Sequence, residues 1–155
     1  MVVDYYKLII SIGVCLAVGF ISGFWTSSSI SSWYAHLHKP SFNPPNWIFG
    51  PVWTLLYILM GVALYLVWND TASVNVAMTF FIIQLVLNFF WSYLFFSLKN
   101  PLIAFIEILF LLLMIIITTI EFYPISNAAA YLLIPYILWV SFASVLNLSI
   151  LLLNK

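Results

Sequence analysis

Five apolar stretches, each about twenty residues or longer, run through this chain and are separated by polar or proline-containing segments. An α-helix needs about 20 mostly apolar residues to cross the roughly 30 Å hydrocarbon layer of a membrane. The stretches lack the ten-residue alternation that is typical of a membrane β-strand. The sequence therefore predicts an all-α integral membrane protein, a single domain over 1–155. Its helices are expected at about 6–25, 47–68, 74–98, 102–122 and 127–153.

Composition excludes the main alternatives. Hydrophobic residues make up 66% of the chain and charged residues only 5%, whereas an ordinary soluble domain has about 25% charged residues. A formal net charge of zero removes the electrostatic basis for binding nucleic acid. The single cysteine excludes both an internal disulfide framework and a cysteine-based zinc site.

The four lysines indicate an orientation. Lys39, Lys99 and Lys155 follow the first, third and fifth stretches, whereas Lys7 lies at the start of the first and therefore on the other side. Because positive charge is enriched on the cytoplasmic side of membrane proteins, we expect the N-terminus outside and the C-terminus in the cytoplasm.

The connection at 26–46 is much longer than the others. It is serine-rich, then aromatic, and contains Pro40, Pro44 and Pro45, which restrict its conformations. Loops of this length in a compact domain are often lids or binding loops. Two interpretations of its aromatic residues remain open, an interfacial belt or one wall of a pocket. The residues concerned are Trp33, Tyr34, Phe42 and Trp47.

Two further local patterns have ordinary interpretations. His36 and His38 are spaced to share a metal or haem iron, but no third ligand lies nearby, so we expect surface histidines and no metal site. Gly19 and Gly23 have the small-xxx-small spacing that lets membrane helices approach closely. We expect packing within the chain, with a dimer contact as the alternative.

Polar and aromatic residues recur at helical spacing inside the apolar stretches. Polar residues at this depth usually face a protein interior or a cavity. Flat rings with few polar groups suit a large, planar, hydrophobic ligand. No arrangement for conventional hydrolysis, phosphoryl transfer or metal chemistry is present in the sequence. The faces are Trp53, Tyr57 and Gly61; Gln84, Asn88 and Trp91; and Trp139, Ala143 and Asn147.

Glu107 is an acid inside the fourth apolar stretch. It is either protonated, paired with Asn88 or Asn147, or hydrated from the side of the third connection. A hydrogen bond that holds helices together and a direct contact with ligand are both consistent with this position.

Three long motifs resemble the translocator protein family, also called tryptophan-rich sensory proteins or peripheral-type benzodiazepine receptors. The first, over 33–61, reads WYxxLxKPSFxPPxxxFGPVWTxxYxxMG. The third stretch adds Leu87-Asn88 with Trp91, and the fifth reads LIPYxxWxxFAxxLN over 133–147. The resemblance covers about residues 10–150 in unbroken register.

This resemblance implies a five-helix bundle, often a homodimer, that binds porphyrins, sterols and aromatic drugs in a pocket capped by the first loop. By motif match, Trp53 and Trp139 take the positions implicated in light-dependent breakdown of protoporphyrin IX, and an acid at Glu107 is a shared feature. The matched lining positions are Tyr34, Pro44, Tyr57, Asn88, Trp91 and Ala143. Together with the helical faces, this predicts ligand contacts at Tyr34, Pro44, Trp53, Tyr57, Gln84, Asn88, Trp91, Glu107, Trp139, Ala143 and Asn147.

One family feature is missing. The sterol-recognition motif of animal members needs a tyrosine followed by a lysine or arginine in the last helix, but Leu148 follows Asn147 and no tyrosine follows Tyr136. The short chain and the absence of a basic tail are typical of bacterial members, so we expect the bacterial cell membrane.

The leading hypothesis is a membrane receptor or sensor that binds protoporphyrin IX, haem or a similar flat molecule as ligand, without a required cofactor. Light-dependent degradation of the porphyrin is an additional activity that stays open. The alternative is a transporter of tetrapyrroles, lipids or sterols, and a third is a regulator that signals through another membrane protein.

Overall fold

The structure, a computed structural model, describes residues 3–71 and 75–155. Over these residues, five helices are long and apolar enough to cross a membrane, which confirms the predicted all-α bundle of an integral membrane protein. The predicted start of the third helix, at Val74, falls outside the described residues. The helices are α1 (Tyr5–Ile30), α2 (Asn46–Asp70), α3 (Val76–Ser97), α4 (Pro101–Phe122) and α5 (Asn127–Leu153).

Four of the five helices begin at a residue whose side chain accepts a hydrogen bond from the first turn. Asp4 accepts from the backbone N–H groups of two residues at the start of α1, at 3.1 and 3.2 Å. Asn75, Asn100 and Ser126 cap α3, α4 and α5 in the same way. The first amides of a helix have no partner within the helix, so these short polar side chains set where each helix starts.

The first helix is longer than the sequence predicted. It continues through the serine run to Ile30 rather than ending at residue 25, so the first loop begins at residue 31. The hydroxyls of Ser27 and Ser28 donate to carbonyls one turn back, which satisfies them inside the helix. Ser29 is buried and donates to the carbonyl of Phe96 in α3 at 2.8 Å. The serine run therefore continues α1, because the hydroxyls of Ser27, Ser28 and Ser29 each donate to a backbone carbonyl.

Two helices are irregular, α3 in its last turn and α5 near its start. The last turn of α3, Tyr93–Ser97, is π-helical, and the carbonyl that accepts from α1 lies in this wider turn. Lys99, with φ of 54°, then turns the chain into α4. In α5, the helix is interrupted at Leu133, two residues before Pro135, whose ring lacks a backbone donor.

The helices pack in a ring with the order α1, α2, α5, α4, α3. One large apolar core fills the half of the bundle away from the first loop. A smaller core lies beneath that loop and includes Tyr34, Phe95, Phe96, Leu146 and Ile150. Between these two cores the packing is incomplete, and that gap positions the candidate site.

The two predicted small residues on α1 have different roles. A Cβ atom added at Gly19 would collide with the ring of Tyr57, so Gly19 allows α1 to approach α2 within the chain. Nothing lies within 4 Å of the corresponding position at Gly23. On α2, Gly61 is a second point of close approach, because its Cβ would lie 2.5 Å from the Cα of Ile12. The two helices are therefore held together at Gly19 and Gly61.

We predict that Gly61→Ala lowers the thermal unfolding temperature in detergent micelles, because overpacking of this kind costs about 1–3 kcal/mol. Gly13→Ala is the matched control, since nothing lies within 4 Å of a Cβ at that position. The control should be neutral or stabilising, because alanine is the better helix former by about 1 kcal/mol. Equal stabilisation by both variants would contradict the close approach at Gly61.

Candidate functional site

A cavity of about 690 Å³ lies beneath the first loop. Its wall is built from one face each of α1, α2, α3 and α5, together with one residue of the loop. The structure brings together seven of the residues for which the sequence predicted ligand contacts. They are Tyr34, Trp53, Tyr57, Trp91, Trp139, Ala143 and Asn147.

Aromatic rings dominate this wall. Trp53 stacks on Tyr57 with ring centroids 5.7 Å apart and planes 30° apart, and Trp91 stacks on Phe95 at 5.3 Å and 22°. Trp139 is half-buried and meets two phenylalanine rings at 5.5 and 6.2 Å. These rings fix one another in place, so the cavity presents rigid apolar faces that suit stacking against a flat molecule.

The first helix contributes a part of the wall that was not predicted from the sequence. Nine residues of this helix line the cavity, and most of them recur at a spacing of three or four, which places them on one broad helical face. Most are small or polar, and that periodicity is the signal that could have identified the face. The residues are Leu16, Gly19, Phe20, Ser22, Gly23, Phe24, Thr26, Ser27 and Ile30.

A chain of buried hydrogen bonds lies at the floor of the cavity. Ser22 lies 3.4 Å from the hydroxyl of Tyr57, which donates to the side-chain oxygen of Asn88. The Asn88 amide donates to the Tyr136 hydroxyl at 2.7 Å, and Tyr136 donates to Gln84 at 2.8 Å. The chain links α1, α2, α3 and α5, so polar groups that are costly to bury hold four helices together.

Four residues predicted to contact ligand lie away from the cavity wall: Pro44, Gln84, Asn88 and Glu107. Gln84 and Asn88 are fully engaged beneath the floor, which explains their position. The predicted pairing of Glu107 with Asn88 or Asn147 is absent. Both carboxyl oxygens of Glu107 are buried and have no hydrogen-bond partner among the residues that the structure describes.

Asn147 connects the cavity wall to the start of α4. Its side-chain oxygen accepts from the indole N–H of Trp91 at 3.3 Å, and its amide donates to the carbonyl of Pro101 at 2.9 Å. The residue is 1% exposed. Its amide therefore orients the Trp91 ring rather than presenting a free polar group to the cavity.

The first loop is held over the cavity by specific contacts. Tyr34 is 2% exposed, donates to Asn43 at 2.8 Å, and has the Lys39 ammonium 4.8 Å from its ring centroid. At the far side, the Asn154 side chain pairs with both the backbone N–H and the carbonyl of His38, each at 2.9 Å. The loop is thus tied to itself and to the end of α5.

The aromatic residues of the loop divide between the two predicted roles. Of the four, Tyr34 alone lines the cavity. Trp33 packs on Phe95 at 5.6 Å in the small core, and Phe42 meets Phe142 at 6.2 Å. Trp47 is 74% exposed at the start of α2, as expected for an interfacial residue.

The two loop histidines are exposed. The Nδ1 atom of His36 lies 2.6 Å from the carbonyl oxygen of Ser32, and His38 contacts Asn154 through its backbone. Over residues 3–71 and 75–155, no group of three or more histidine, cysteine, aspartate or glutamate side chains is placed to hold a metal ion.

Comparison with known proteins gives a consistent result. The TspO/MBR family model matches residues 11–153. The chain is 49% identical over 153 residues to the tryptophan-rich protein TspO of Archaeoglobus fulgidus, covering 96% of this chain and 97% of that one. It is 47% identical to the protein of the same name from Chlorobaculum tepidum, covering 95% of both chains. It is 40% identical to the human translocator protein, covering 74% of this chain and 70% of that one.

The buried hydroxyl of Tyr34 should make the stability of the protein depend on pH. Burial raises the pKa of its hydroxyl to about 12, above the ordinary value of about 10. The folded state therefore holds this proton more tightly, so its contribution to stability is complete below about pH 10 and is lost as the pH rises towards 12. We expect Tyr34→Phe to lower the unfolding temperature at pH 8 but to flatten its decline between pH 10 and 12. An unchanged slope would contradict the role of this hydroxyl.

Proposed function

This chain belongs to the TspO/MBR family, and from that premise we propose that it binds porphyrins and other flat hydrophobic molecules in the cavity beneath the first loop. Family membership supports a membrane receptor or sensor role. The main support for porphyrin binding is the cavity itself, which has a volume of about 690 Å³ and three indole rings in its wall. This volume lies within the range of about 300–1,000 Å³ typical of small-molecule sites.

The polar groups of the wall favour a ligand that is mostly apolar. The hydroxyls of Ser22 and Tyr57 and the amide of Asn147 are already engaged with protein partners. The indole N–H of Trp139 is itself buried, without an acceptor among the described residues. A flat and mostly apolar ring system, such as protoporphyrin IX, matches this wall.

A haem would be held by its ring rather than by its iron. The described residues of the wall include no histidine, cysteine or methionine, and the hydroxyls of its two tyrosines, Tyr34 and Tyr57, are already bonded to Asn43 and Asn88. The cavity therefore favours recognition of the tetrapyrrole plane, with or without a metal at its centre.

The floor of the cavity favours a receptor over a transporter. A transporter needs a second path from the site to the opposite side of the membrane. Below the cavity, Tyr57 fills the space against Gly19, and Asn88 and Tyr136 continue the packing in the hydrogen-bonded chain. This closed floor supports a site without a second exit towards the opposite face of the membrane.

Orientation, location and assembly are part of the same proposal. Lys39, Lys99 and Lys155 lie at the loop end of the bundle, and Lys7 lies at the other end beside the carbonyl of Trp68. With positive charge inside, the cavity lies towards the cytoplasmic face of a bacterial cell membrane, with the N-terminus outside. We propose a homodimer on the strength of the family resemblance.

We predict that protoporphyrin IX, titrated in darkness into the purified protein, quenches tryptophan fluorescence in a saturable way. Ala143→Phe should weaken binding by at least about tenfold, because it fills part of a defined cavity. Ala128→Phe, at an exposed position in the same helix, is the control and should bind normally. Equal affinities in the two variants would place the porphyrin elsewhere.

Light distinguishes a receptor from a photochemical enzyme. If Trp53 and Trp139 donate electrons to the excited porphyrin, Trp53→Phe and Trp139→Phe will retain binding in darkness and lose most of the light-dependent bleaching of its absorbance. If the indoles only stack, bleaching will continue at the wild-type rate. Trp47→Phe is the control, because Trp47 is exposed and does not line the cavity.

A further inference from the structure

The cavity reaches the surface of the bundle along one side, between α1 and α2. On that side its lining residues are also exposed: Phe20 is 85% and Phe24 71% exposed, and Gly23 and Gly50 are exposed as well. On the sides of α3 and α5 the wall is closed, with Phe95 at 2% and Ile150 at 1% exposed, whereas Asn46 at the start of α2 is exposed. We call the gap bordered by Phe20, Gly23, Phe24 and Ser27 of α1 and by Gly50 and Thr54 of α2 the side opening.

The packing of α1 against α2 explains why the gap forms there. The helices touch at Gly61 and again at Gly19, where the Tyr57 ring leaves no room for a side chain. Gly23 lies one turn further, about 6 Å along α1, and nothing lies within 4 Å of its Cβ position. The same is true of Gly50 on the facing helix. The helices therefore diverge beyond Gly19, and each border of the opening carries a glycine with free space above it.

The position and chemistry of the side opening favour contact with lipid chains over contact with water. Its borders lie within α1 and α2, which both qualify as membrane spans. The hydroxyls at the border are satisfied within their own helices, since Ser27 donates to the carbonyl of Phe24 at 3.0 Å and Thr54 to that of Gly50 at 2.8 Å. An opening without free polar groups is compatible with lipid chains, where unsatisfied groups are costly.

The loop end of the cavity is closed by contrast. Tyr34 is buried over it, Asn154 holds His38 through two hydrogen bonds, and Ser29 joins α1 to α3 at 2.8 Å. A ligand that passed this end would have to break several hydrogen bonds. None has to break at the side opening.

We propose that ligand reaches and leaves the cavity sideways from the bilayer, through the side opening, while the first loop stays closed. The inference rests on the proposed function, in that it names the route and the source of the ligand. The ligand class follows: a flat hydrophobic molecule that dissolves in the membrane before it binds.

The test measures protoporphyrin IX association and dissociation by stopped-flow tryptophan quenching, with the protein in lipid nanodiscs. Gly23→Trp and Gly50→Trp narrow the opening, and each should slow both rates by at least about tenfold. Both rates fall because an obstructed path raises the same barrier in the two directions. Gly13→Trp is the matched control on α1, with free space at its Cβ and no part in the cavity wall, and should leave both rates unchanged. Asn154→Ala, which releases the loop, should also leave them unchanged.

Two outcomes would overturn the proposal. Faster rates in Asn154→Ala with no effect of Gly23→Trp would place the route at the loop end. Slower association with faster dissociation in the glycine variants would mean that the new side chains occupy the site rather than its access path.

A second measurement does not depend on porphyrin binding. Ala143→Cys, in a Cys15→Ala background, places a single thiol on the cavity wall. A neutral aromatic maleimide dissolved in the bilayer should label it, and Gly23→Trp should slow the labelling. Equally rapid labelling by a charged maleimide confined to water would refute the lateral route. Absence of saturable porphyrin binding in the wild-type protein would instead refute the proposed function and leave this labelling result to decide the route.

Discussion

The packing and hydrogen bonding of Tyr57 between α1, α2 and α3 are the contacts on which the rest of the structure depends. Its ring lies against Gly19 and brings α1 close to α2, while its hydroxyl enters the buried chain through Ser22 and Asn88. Inside a membrane, association between helices gains little from the hydrophobic effect, so close packing and buried hydrogen bonds decide the arrangement. One residue supplies both. It forms the floor of the cavity and sets the point beyond which α1 and α2 separate.

This arrangement gives the two ends of the bundle different properties. Away from the first loop the helices share a continuous apolar core. Towards the loop, aromatic rings support one another around a space that the protein does not fill. The loop then closes the end of that space through Tyr34 and Asn154, leaving the side between α1 and α2 as the exposed part of the wall.

Much of the site could be predicted from the sequence, because residues at helical spacing share a face whatever the surroundings. This reasoning brought Trp53, Trp91 and Trp139 to the same cavity. Gln84 and Asn88 do not line the cavity, because a shared helical face gives the direction of an amide and not its hydrogen-bond partner. Those partners, Tyr57 and Tyr136, come from two other helices. The lining face of α1 was not predicted either, because it is largely small residues without evident chemistry.

The sequence by itself determined the membrane class, the five helices, their starts to within one or two residues, and the end at which three of the four lysines gather. These depend on hydropathy, on capping side chains and on position in the chain, which are local or directly countable. Only the tertiary structure decided the length of α1, because Ser29 found its acceptor in a π-helical turn of α3. The tertiary structure also decided which polar groups form hydrogen bonds in the interior and where the cavity opens. Both depend on the spacing between helices, which arises from contacts between residues far apart in the chain, such as Gly19 with Tyr57.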